Sequence, residues 1–87
     1  MNKYKSRRLM PQPYTYERKE GNVNIVTVVN RYDVYTTVYF VRKNVGWSRN
    51  IPWGANVFEI ILVEDLSKEE WAALIEHLEE VAEREGI

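Results

Sequence analysis

Apolar and polar positions alternate along much of residues 14–43, while from residue 71 apolar side chains recur at three- and four-residue steps. Strands are therefore expected first and a helix after them. Residues 14–19 suit a strand, and Glu20-Gly21-Asn22 supplies a tight turn with a residue free to take positive φ. Residues 23–30 and 33–43 are rich in Val, Ile, Thr, Tyr and Phe, types that pack well on a pleated surface, and they predict two more strands. With Arg31 and Tyr32 as the loop, Val29 falls opposite Val34, Thr27 opposite Thr36, Ile25 opposite Val38 and Val23 opposite Phe40. That face is expected to be the core, which leaves Asn24, Val26, Val28, Tyr35, Thr37, Tyr39 and Lys43 on the other.

Residues 44–56 (NVGWSRNIPWGAN) show no periodicity and hold two glycines, a proline and two tryptophans, so a long functional loop is expected there. Residues 57–63 resume an alternation and predict the fourth strand, with Phe58, Ile60 and Leu62 on one face. The helix has the clearest signature. Ser67-Lys68-Glu69-Glu70 reads as a capping box, Leu66 and Trp71 as its hydrophobic staple, and Trp71, Leu74, Ile75, Leu78, Val81 and Ala82 as one apolar stripe ended by Gly86.

The predicted fold is α+β: a curved antiparallel sheet of four strands followed by one C-terminal amphipathic helix, in the order ββββα. Its 87 residues suit one domain, residues 14–87, preceded by a flexible basic arm, residues 1–13, in which Pro11 and Pro13 bar helix and central strand. A domain this small has a thin margin of stability, and Val57, Ile61 and Val63 would leave apolar surface beside the helix, so a homodimer is expected. No cysteine is present, which excludes disulfides and thiolate chemistry and fits a cytoplasmic site. Neither a signal peptide nor a membrane span is expected, since no apolar run approaches the required length.

The net charge of −1 conceals a division. Residues 1–58 carry ten basic and three acidic side chains, +7, whereas residues 59–87 carry two basic and ten acidic ones, −8. A protein with one basic and one acidic face can bind a polyanion despite an acidic average. Single strands are held by planar side chains that stack on bases and by cations that follow phosphates. Both types interleave here. Arg18, Arg42, Lys43 and Arg49 are the candidate phosphate contacts, and Tyr35, Tyr39, Trp47 and Trp53 the candidate stacking groups. Each tyrosine taken singly is equally a good strand former, whereas Trp47 and Trp53 sit among small and turn-forming residues, where rings often serve binding. Trp53 reads evenly as a ligand contact or as a plug for the sheet.

The glutamates 76, 79, 80, 83 and 85 read as hydrated charge on the outer arc of the helix, and His77, the only histidine, has no partners that would make it catalytic. No phosphate loop, zinc spacing or nucleophile pattern occurs, so neither an enzyme nor a cofactor is expected.

The strand order followed by a helix, with Leu66, Ser67, Glu70 and Trp71 at its start, resembles the C-terminal domain of the transcriptional Positive Cofactor Four family. That resemblance implies a dimer binding single-stranded DNA, with Trp47 and Arg49 as counterparts of aromatic and basic residues in a long loop before the last strand. The chain also looks like the small single-strand-binding proteins of the ThermoDBP-related kind. The expected function is binding of single-stranded DNA or RNA with little sequence preference. The alternative is a protein-interaction or dimerisation module whose basic sheet meets an acidic partner.

Overall fold

A computed structural model describes residues 13–87. The expected basic arm lies outside the described residues, apart from Pro13. Strands β1 (Tyr14–Glu20), β2 (Val23–Val29), β3 (Val34–Arg42) and β4 (Val45–Pro52) form one antiparallel sheet in the order β1-β2-β3-β4. A short helix α1 (Val57–Ile60), a 3-10 turn (Val63–Asp65) and the long helix α2 (Lys68–Glu85) follow. The arrangement is α+β, four strands and then the C-terminal helix.

The register of β2 with β3 is the one that the alternation implies: Val29 pairs with Val34, Thr27 with Thr36, Ile25 with Val38 and Val23 with Phe40. Strict alternation of burial along β2 shows why. A slip of one residue would turn Ile25 and Val29 out to water, so the buried face selects the pairing. Both helices lie on this inner face, α2 across β1 and β2 and α1 against β4. Ile25, Val38, Ile51, Val57, Ile61 and Leu74 meet in the main core, and Tyr16, Val29 and Val81 form a smaller cluster beside it.

The fourth strand stands elsewhere than expected. It occupies residues that lack an unbroken apolar alternation, because Gly46, Ser48, Asn50 and Pro52 face outward while Arg49 interrupts Val45, Trp47 and Ile51 on the inner side. An edge strand tolerates such residues, and Pro52 stands at its end. Residues 57–63 are not a strand. Asn56 caps α1, its Oδ1 accepting from the Phe58 amide at 3.0 Å, and the buried residues Val57 and Ile61 follow a four-residue step. The apolar surface expected from Val57 and Ile61 is therefore covered, whereas Phe58, Leu62 and Val63 stay exposed.

Three buried polar side chains of α2 meet the sheet, besides the Glu76 ion pair to Arg18 of β1. At its start Ser67 and Glu70 form the predicted capping box, and the same Glu70 carboxylate accepts from the Asn22 amide of the β1–β2 turn at 2.7 Å. Gly21 in that turn has φ 56, and a Cβ there would stand 2.7 Å from Glu70 Oε2. Midway along, His77 Nε2 lies 2.7 Å from Thr27 Oγ1, which in turn bonds Thr36 Oγ1 at 2.7 Å. At the far end Glu85 accepts from the hydroxyls of Tyr14 and Tyr16. Glu85 and His77 are thus buried, where hydrated charge was expected of the first.

Two consequences can be measured. Glu70→Ala is expected to cost about 2–4 kcal/mol in chemical denaturation, because it strips a cap and leaves a part-buried amide without its charged acceptor. Gly21→Ala should cost less in that background than in the wild type, since the crowding carboxylate is gone. Burial lowers the His77 pKa from its ordinary 6.5, with Arg18 acting in the same sense and Glu80 against it. The folded state therefore takes up this proton less readily than the unfolded chain, and the stability this confers is complete above that value and is lost as pH falls below it. Thermal unfolding at about pH 7.5 and 5.5 should show a larger loss for the wild type than for His77→Gln.

Candidate nucleic-acid interface

Seven of the eight candidate contacts, all but Arg18, fall on β3, β4 and the turns that join or end them. Residues 34–53 carry Arg42, Lys43 and Arg49 and no carboxylate, which makes this hairpin a positive element as well as an aromatic one. It also reaches past its neighbour: β2 begins at Val23, opposite Phe40, so that Arg42, Lys43, Asn44 and Val45 project beyond the end of β2.

The inner side of the hairpin holds Arg42, Phe40, Trp47 and Arg49. Phe40 and Trp47 are paired across the strands, with rings 5.0 Å apart and nearly parallel at 3°. The guanidinium carbon of Arg49 stands 4.9 Å from the Trp47 ring centroid, and its Nη1 donates to the Ser48 carbonyl at 2.9 Å. A guanidinium set on an aromatic face retains little rotational freedom and presents its own plane outward. Trp47 is thus engaged by both Phe40 and Arg49, and with Phe40 it also packs, partly buried, against the main core. Phe40 escapes notice in the sequence, because its pairing with Trp47 follows only once residues 45–52 are known to be a strand.

The outer side carries Tyr35 and Tyr39, two residues of one register apart from Thr37 on β3, with Ser48 and Asn50 beside them on β4. Tyr39 is 47% exposed. Lys43 belongs to neither face. It forms the two-residue turn with Asn44 and takes φ 55, a left-handed conformation that long side chains seldom adopt.

Two of the candidates stand apart. Arg18 is on β1, on the inner face, where Glu76 of α2 holds it at 3.1 Å and Glu20 lies at 4.0 Å. Its charge is already answered. Among the described residues, by contrast, no carboxylate forms an ion pair with Arg42, Lys43 or Arg49. Trp53 follows β4 at the opposite end of the sheet from Lys43, half-buried against Tyr16, Val29 and Val81, so it does plug the small core cluster. It also lines a cleft of ≈ 900 Å³ at that end, together with Arg31, Tyr32 and Tyr35.

No group of His, Asp and Glu among the described residues is arranged to hold a metal ion, and no helix there is long and apolar enough to cross a membrane. Comparison with family models, curated proteins and solved structures finds no match. The likeness to the Positive Cofactor Four domain therefore rests on Leu66, Ser67, Glu70 and Trp71, and the long loop in which Trp47 and Arg49 would find their counterparts is here a strand.

The turn yields a stability test. Lys43→Asn, which suits a left-handed residue better, is expected to stabilise the fold by about 0.5–1 kcal/mol in thermal or chemical unfolding.

Proposed function

We propose that this chain binds single-stranded nucleic acid, with little sequence preference, along the β3–β4 hairpin. The observation that carries the reading is the Arg49 guanidinium held on the Trp47 ring, in a hairpin whose three cations have no carboxylate partner among the described residues. β4 is an edge strand, so a ligand following it meets Arg42 and Arg49 from the inner side and the exposed ring of Tyr39 by turning over the edge. Phosphates then lie against the guanidinium groups and Lys43, while bases stack on tyrosine, a contact that every base can make. α2 packs mainly over β1 and β2, and its Glu79 and Glu85 reach only the Pro52–Trp53 end of β4, away from Arg42 and Lys43.

A second reading, a surface for a protein partner or a second copy of this chain, draws on a different observation. Phe58, Leu62 and Val63 are each more than half exposed, and Phe58 stacks on Trp71 at 4.8 Å to form an apolar strip beside α2. Such a strip suits a protein surface and offers nothing to a polyanion.

Titration with oligo(dT), followed by tryptophan fluorescence, separates the two. The three hairpin cations contribute about −2 to the slope of log K against log salt. Arg42→Ala with Arg49→Ala should weaken binding at least tenfold and make the slope shallower by about 1.4. Arg18→Ala should leave both nearly unchanged, as its partner is Glu76. Failure to bind at low salt, together with a dimeric mass in sedimentation, would favour the protein-partner reading.

A further inference from the structure

The cleft at the end of the sheet away from Lys43 is built from several separate pieces of chain, with Glu85 and Ile87 at the C-terminal side. The β2–β3 loop supplies Arg31 and Tyr32, β3 supplies Tyr35, and the end of β4 supplies Asn50, Pro52 and Trp53. The loop is tied at its base, where the Asn30 amide donates to the Asp33 carbonyl at 2.9 Å and Asn30 Nδ2 to Asp33 Oδ1 at 3.1 Å. Its tip is the reverse. Tyr32 is 90% exposed and belongs to neither core cluster, so folding does not account for a large ring at this position.

β4 connects this cleft with the basic hairpin. From Arg49 to Trp53 is four residues of a single extended edge, roughly 13 Å. Asn50, the residue after Arg49, already lines the cleft. A strand whose phosphates follow Arg42 and Arg49 is thereby delivered to the cleft mouth. Inside, the charges are mixed. Asp33 and Glu85 share the lining with Arg31, which disfavours a phosphate within the cleft and suits a neutral planar group there. Arg31 is exposed and forms no ion pair among the described residues.

We infer that the cleft receives one unstacked base of the bound strand, with Tyr32 and Trp53 as its ring contacts and Arg31 on the adjoining phosphate. The inference rests on the single-strand reading above and adds to it a defined subsite at the end of the binding path. Ring contacts of this sort contribute without regard to salt, whereas Arg31 adds to the salt dependence.

The test is oligo(dT) of about 12 nucleotides, long enough to reach from the hairpin to the cleft, bound to the wild type, Tyr32→Ala, Tyr32→Phe and Arg31→Ala. Both residues are exposed, so the fold is not at risk. Tyr32→Ala should weaken binding about tenfold with the salt slope unchanged, Tyr32→Phe should restore it, and Arg31→Ala should make the slope shallower by about 0.7. Wild-type affinity in Tyr32→Ala, in a protein whose binding still depends on Arg42 and Arg49, overturns the cleft subsite alone. Absence of binding by the wild type overturns the single-strand reading and this one with it.

Discussion

The molecule depends on how one helix is seated on one sheet face. Glu70, His77 and Glu85 lie seven and eight residues apart on α2, near two turns each, so all three point to the same side as Leu74 and Val81. Each meets a different piece of the sheet: the β1–β2 turn, the Thr27–Thr36 pair, and the hydroxyls of Tyr14 and Tyr16. Apolar packing by itself would tolerate some sliding and rotation of the helix. Three hydrogen-bonded polar groups in a low-dielectric interior do not, because any displacement leaves buried donors or acceptors unmet. Glu70 shows the economy of this arrangement: one carboxylate closes the capping box and also fastens the neighbouring turn, at a distance that only glycine at position 21 permits.

That seating decides what the rest of the sheet is left to do. With α2 over β1 and β2, its Glu76 stands beside Arg18 and neutralises it, while α1 lies against β4 and Leu78, Glu79 and Ala82 of α2 reach the Ile51–Pro52 end of that strand. The hairpin extends beyond β2, and its cations have no acidic partner among the described residues. Of the described cations, Arg42, Lys43 and Arg49 stand on the β3–β4 hairpin, while Arg18 and Lys19 lie on β1 beside the helix. Trp47 is occupied by Phe40 and Arg49, and Trp53 packs on the core cluster around Val81 while also lining the cleft. Tyr39, a candidate stacking group in the sequence, and Tyr32, which reads there as a loop residue, are exposed rings.

Much of the fold was legible because local rules and the global arrangement agree. The alternation of Val23, Ile25, Thr27 and Val29 determines the register of β2 with β3, and Ser67 with Glu70 determines the start of α2. β4 was not legible, since an edge strand with one free side needs no continuous apolar pattern, and Gly46, Arg49 and Pro52 break the one it has. Residues 57–63 misled for the opposite reason: VFEIILV contains enough apolar residues to fit either period, and only the Asn56 cap distinguishes them. Residues 44–56 read as a loop in the sequence, so the pairing of Trp47 and Arg49 with β3, and the faces on which the candidate contacts stand, could not be assigned without β4. Glu85 and His77 were unreadable as anchors, because their partners lie some 50 to 70 residues away and no spacing rule links them.

The cation of β4 admits a plainer explanation than binding. Edge strands carry charge and proline because a bare edge pairs with other chains, and Arg49 and Pro52 would serve that end. Protection of an edge, however, requires only that a charge be present and hydrated. It gives no reason for a guanidinium to be placed on an indole that is itself stacked on Phe40, an arrangement that holds the cation in one place. Nor does it bear on Tyr32, which stands on a loop rather than on an edge and exposes nine-tenths of its surface. A fixed cation midway along β4 and an unburied ring on the loop beyond the end of that strand are what a ligand lying along it would meet, and their spacing along the edge is the physical content of the binding path.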